Sequence, residues 1–135
     1  LLIFLSNHFL FANKVKASFK TNIEKICGLE IVKSSGNINF LDTKIQDEAQ
    51  FFVRVNNKSK SAKVTFSNIK KSDNIKNSNG YFKINNNKNI YWNHPTDINV
   101  ANNKLQKVTA KINQTSDEIQ AGIATVNTTL ELTCQ

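Results

Sequence analysis

Ala121-Gly122-Ile123-Ala124-Thr125-Val126-Asn127-Thr128-Thr129-Leu130-Glu131-Leu132-Thr133-Cys134-Gln135 is the stretch that decides the fold. From Ala124 the residues alternate. Ala124, Val126, Thr128, Leu130, Leu132 and Cys134 fall on one side, and Thr125, Asn127, Thr129, Glu131 and Thr133 on the other. Successive side chains of a strand point to opposite faces, so this reads as a half-buried β-strand. It is rich in β-branched residues and closes on a cysteine. The other cysteine, Cys27, sits in a matching early stretch, in which Cys27, Leu29 and Ile31 face one way.

The same period recurs between these two ends. Residues 14–20 place Val15, Ala17 and Phe19 on one face and Lys14, Lys16, Ser18 and Lys20 on the other. Ile38 and Phe40 suggest a short strand. Residues 50–56 are the clearest interior strand, with Phe51, Val53 and Val55 inward. A polar loop at residues 56–60 leads to a partner strand carrying Ala62, Val64 and Phe66. Residues 70–80 read as a polar loop, residues 81–84 and 89–92 as a second hairpin, and residues 94–97 as a turn built on His94 and Pro95. Residues 105–112 alternate again, and residues 115–122 connect to the last strand. About seven or eight short strands at near-even spacing, without helical periodicity, predict an all-β, immunoglobulin-like β-sandwich in one domain, residues 13–135.

Composition sets the class. The chain has 135 residues, a length that suits a single core. Glycine and proline are scarce, at four and one residues, which excludes collagen-like and linker classes. The formal net charge is +8, and the abundance of Asn, Lys and Ile is the skew an AT-rich genome produces. The functional reading of that charge is weak, salt-sensitive attraction to polyanions; no motif for specific nucleic-acid reading is present. Residues 1–12 carry no Asp, Glu, Lys or Arg and are too short to span a bilayer, which takes about 20 apolar residues. They read as part of a secretory signal peptide ending at Ala12, with Ala17 as the alternative cleavage point, and with the start and basic region expected upstream. No transmembrane segment is expected in the mature chain. Two cysteines in an exported chain are expected to pair, so Cys27 is expected to bond Cys134.

Catalytic chemistry finds little support. His94 is the one histidine after residue 12, and His94-Pro95-Thr96-Asp97 has ordinary turn composition. Asp42, Asp47 and Glu48 fit no calcium loop and read as a solvated acidic group. No phosphate-cradling glycine loop is present. Neither an enzyme, a metal nor a cofactor is expected. Tyr81, Tyr91 and Trp92, set among Lys83, Lys88 and asparagines, are candidate ligand-binding aromatics for a glycan.

Three stretches carry a resemblance. The first is Val15-Lys16-Ala17-Ser18-Phe19, then Ile23, then Cys27-Gly28-Leu29-Glu30-Ile31; the second is Phe52-Val53-Arg54-Val55-Asn56-Asn57 followed by Lys63-Val64-Thr65-Phe66; the third is Ala121-Gly122 with the alternation of residues 126–132. Together they resemble bacterial fimbrial subunits (pilins) of the chaperone–usher route, nearest to the colonisation-factor class. Cys134 at the very end and the lack of a penultimate tyrosine depart from that pattern.

The resemblance implies a sandwich lacking one strand, which a partner supplies by strand addition. It makes Val15, Ala17 and Phe19 the inserted residues and Leu29, Ile31, Leu130 and Leu132 the lining of the acceptor groove. It implies other fimbrial subunits, a periplasmic chaperone and an outer-membrane usher as partners. It also implies export through the periplasm to the bacterial cell surface and a role in adhesion, with a host glycan as a further ligand. Alternation alone leaves open whether residues 13–20 are such a donor or the domain's own first strand. The alternative from another class is a free-standing secreted sandwich that binds a glycan or polyanion.

Overall fold

The structure is a computed structural model and describes residues 13–85 and 88–134; the expected signal peptide, residues 1–12, lies outside them. Among the described residues nine strands follow one another: β1 (Cys27–Lys33), β2 (Ile38–Asn39), β3 (Ala49–Val55), β4 (Ser61–Lys71), β5 (Gly80–Ile84), β6 (Lys88–Tyr91), β7 (Thr96–Ala101), β8 (Gln106–Ile112) and β9 (Val126–Thr133). They form two sheets. One has the order β1-β3-β8-β5-β6, with the short β2 beside β8, and the other the order β7-β4-β9. The ladders are antiparallel, except that β2 runs parallel to β8. The protein is therefore the expected all-β sandwich.

The order has a direct reading in immunoglobulin terms. With β1, β3, β4, β5, β8 and β9 as A to F, one sheet runs A-B-E-D and the other places C beside F. β6 extends the first sheet past D, and β7 covers the outer edge of C. Among the described residues no strand pairs with the flank of β9 where a strand G would lie: β9 ends its sheet.

The core is built by period-two strands from both sheets. Phe51, Val53 and Val55 of β3 face Ala62, Val64 and Phe66 of β4, each at 5 % exposure or less. Phe66, Phe82 and Trp92 form an aromatic chain, with ring centroids 5.8 and 5.6 Å apart. β4 is longer than its sequence suggests and runs on to Lys71 past an irregularity between Ser67 and Lys70, where Asn68 adopts φ +50°. The stretch read as a polar loop at residues 70–80 is thus partly strand. It also contains a 3₁₀ turn, Asp73–Ile75, that buries Ile75 completely. The turn at residues 94–97 is brief: β7 starts at Thr96 and buries Ile98 and Val100.

Asparagine has a structural use here. Asn68, Asn85 and Asn103 all take positive φ, the left-handed region that asparagine tolerates better than most residues. Asn85 and Asn103 sit at the ends of strands, where the chain reverses.

Candidate functional site

Two edge strands, one from each sheet, flank the same opening. β1 ends the larger sheet and β9 the smaller. They share no ladder but are joined at one end by the disulfide Cys27–Cys134, with Cα atoms 6.1 Å apart. The inward residues of β9 alternate as the sequence requires, yet none is fully buried. The inward Ile31 of β1 is 52 % exposed, whereas Val64 on the covered β4 is wholly buried. Side chains that face the interior and still meet solvent mark an edge that none of the described residues covers.

Between these strands lies a cavity of about 690 Å³. Leu29, Ile31 and Lys33 line it from β1, and Val126, Thr128 and Leu130 from β9, with Phe51, Phe66, Phe82, Val108 and Ala110 also in its wall. The structure thus brings together Leu29, Ile31 and Leu130 of the expected lining. Leu132 packs against the core nearer the disulfide and does not line the cavity. Ala124 and Val126, on the same side of the β9 alternation as Leu130, were legible as lining; Phe66 and Phe82 were not, because their approach depends on how the sheets stack.

The segment before β1 is not packed against the sandwich. Residues 14–26 belong to no strand and are exposed throughout. Val15, Phe19 and Ile23 are 83, 96 and 80 % exposed. Residues 14–20 are therefore not paired as a first strand of this domain. With Ala17 and Thr21 between them, the three apolar residues fall at alternate positions and share one face when the chain is extended. Ile23 belongs to that row, although the expected donor set stopped at Phe19. Three hydrogen bonds fix where the segment leaves the body. Ile26 N donates to Asn56 Oδ1 (2.8 Å), Asn56 Nδ2 donates to the Glu24 carbonyl (2.8 Å), and Asn56 N donates to the Ile26 carbonyl (3.3 Å).

At the other end of the cavity stand Lys33, Asp47 and the turn residues Ser34, Ser35, Gly36 and Asn37. Lys33 donates to Asp47 and forms an ion pair with it. This hydrogen bond holds the Asp47 carboxyl below its ordinary pKa. Asn37 ties the same corner, accepting from Asp47 N (2.6 Å) and donating to the Ile45 carbonyl (2.8 Å). The acidic group read from sequence is thus divided: Asp47 pairs with Lys33, Glu48 lies 3.8 Å from Lys107, and Asp42 accepts from Ser116. Among the described residues no cluster of metal-ligating side chains occurs. His94 is exposed in its turn beside Asn93.

The three candidate ligand-binding aromatics separate. Tyr81 and Tyr91 face each other across the β5–β6 ladder with centroids 5.8 Å apart, and Tyr91 is half exposed. Lys111 flanks Tyr81 on its other side. Trp92 points the opposite way, into the core at 4 % exposure, and presents no ring to a ligand. No helix among the described residues is long and apolar enough to cross a membrane.

Comparison with protein-family models, with curated proteins and with solved structures finds no match to this chain.

Proposed function

We propose that this chain is the structural subunit of a bacterial surface fibre, a fimbria, and that copies join by strand addition. The apolar row of residues 15–23 from one copy fills the groove between β1 and β9 of the next. The observation that carries this reading is the pairing of the two features in one chain: an incomplete sandwich edge with an apolar groove, and an exposed segment whose alternation fits it. Sheet edges with free backbone groups and uncovered apolar residues are templates for strand addition. Each of Val15, Phe19 and Ile23 gains about 1.5–3 kcal/mol on full burial, and the new ladder satisfies backbone groups of the edge strands. The disulfide sets the polarity: with one end closed, the donor's folded body stays outside at the other, and the donor's Val15 end points toward Cys134.

In this reading the chain is exported through the periplasm. A chaperone covers the groove before assembly, an usher passes subunits outward, and the finished fibre contributes to adhesion. Full-length protein tests it. Sedimentation over a concentration series should show linear oligomers, and a free peptide of residues 13–23 should bind the groove and cap their growth. A chain that stays monomeric at every concentration and ignores the peptide refutes the reading.

Tyr81 and Tyr91 favour a second reading, a free-standing secreted sandwich that binds a glycan. It predicts a monomer whose glycan binding is lost in Tyr91→Ala.

A further inference from the structure

Resting on that reading, we propose that Asn56 and the Cys27–Cys134 disulfide together keep the chain's own N-terminal segment out of its own groove, and so reserve the groove for a second copy. A strand laid between two others needs its neighbours about 9–10 Å apart, two strand spacings. The disulfide holds Cys27 and Cys134 at 6.1 Å between Cα atoms, so no strand passes between them and a segment returning from residue 26 must go around the bond to enter. The groove is therefore closed at the end from which the chain's own segment departs.

Asn56 adds a direction to this blockade. Its side chain holds residues 24–26 from both sides, donating to the Glu24 carbonyl and accepting from Ile26 N. Its backbone N–H, donating to the Ile26 carbonyl, continues the β1–β3 ladder beyond the Cys27↔Val55 pair. The segment thus leaves as a prolongation of β1, away from the groove. To come back it must reverse before residue 24. A reversal takes about 2–5 residues. About three more are spent returning alongside residues 24–26, at roughly 3.3 Å each. Only the first few residues after residue 12 would then reach the cavity, and Phe19 and Ile23 would stay in solvent. A second copy carries no such restriction and delivers the whole row.

The side chain of Asn56 is exposed, which gives it no packing role. Releasing it lets the chain reverse within residues 24–26 and brings Phe19 within reach of its own groove.

The test uses the full chain and a labelled peptide of residues 13–23. In N56A the segment competes for its own groove, so both peptide affinity and self-association should fall, by about tenfold for the loss of two hydrogen bonds. Adding Val15→Asp and Phe19→Asp to N56A disables the competing segment and should restore wild-type peptide affinity. Peptide binding that stays weak in the triple variant would mean that Asn56 merely shapes the groove, and overturns the inference. So does N56A behaving as wild type in an otherwise assembling protein. A wild-type chain that neither assembles nor binds peptide overturns the fimbrial reading, and this inference with it.

Discussion

Trp92 occupies the space above Gly80 that a side chain would need. A Cβ built on Gly80 would overlap the six-membered ring of Trp92, while the Trp92 backbone N–H donates to the Gly80 carbonyl at 3.1 Å. The indole, tilted at 54° against the Phe82 ring, cannot retreat without moving the aromatic chain that runs on to Phe66. Gly80→Ala should therefore cost about 1–3 kcal/mol or more through overpacking. Gly28→Ala, whose Cβ meets nothing within 4 Å, should leave stability within about 0.5 kcal/mol. Urea denaturation of both variants checks the contrast, and equal losses would contradict it.

The disulfide closes a sequence separation of 107 residues. In the chain-entropy account a loop of that size is worth about 4–5 kcal/mol, a large part of the stability of a domain this small. The double variant Cys27→Ala/Cys134→Ala should lose that much, read as a lower urea midpoint with a steeper slope, because the unfolded chain without the crosslink exposes more surface. An unchanged midpoint would show that the ends of β1 and β9 are held by packing alone.

If copies join by the proposed strand addition, Phe19→Asp separates folding from assembly. The Phe19 side chain is 96 % exposed in the single chain, so Phe19→Asp should change unfolding free energy by no more than about 0.5 kcal/mol. In a neighbour's groove the same substitution buries an unpaired charge, which costs several kcal/mol. Thermal melting should therefore be unchanged while sedimentation shows loss of oligomers. A variant that melts early, or that assembles as wild type, would contradict this.

Acid should loosen the corner at the open end of the groove. Asp47, held by the Lys33 hydrogen bond, and Asp42, held by hydrogen bonds from Ser116, both titrate below the ordinary value of 3.8. A carboxyl depressed in the folded state binds fewer protons there than in the unfolded chain. Its contribution is complete above the unfolded value, and it disappears as pH falls from there through the folded value. Stability should thus be flat in the contribution of Asp47 above about pH 5 and decline below about pH 4. Asp47→Asn should remove its share of that decline, measured as the difference in urea midpoint between pH 6 and pH 3. Both groups lie at the surface, so the effect should be small and weakened by salt.

Much of this fold is visible before any coordinates. β3, the first half of β4, and β9 each alternate large apolar with polar residues, and with one face buried that pattern admits a single orientation of the strand. Trp92 and Tyr91 are neighbours and must point to opposite faces; the burial of Ile90 in the same strand decides which one is core. β7 was masked by His94-Pro95 just before it, since proline and aspartate weigh toward a turn even when Ile98 and Val100 follow at strand spacing. The second half of β4 was masked by lysine and asparagine, because its pairing with β9 replaces the apolar contrast that the sequence lacks.

The amino-acid sequence by itself determined the local facts: which residues share a strand face, that the chain folds into sheets, and that Cys27 and Cys134 are available to each other. Only the tertiary structure decided which strands lie at edges, that β1 and β9 flank one cavity, and that residues 14–23 join no strand among the described residues. The physical reason is range. Alternation follows from backbone geometry within a few residues, whereas strand pairing joins residues far apart, such as Val64 and Leu132, and is chosen by the whole packing.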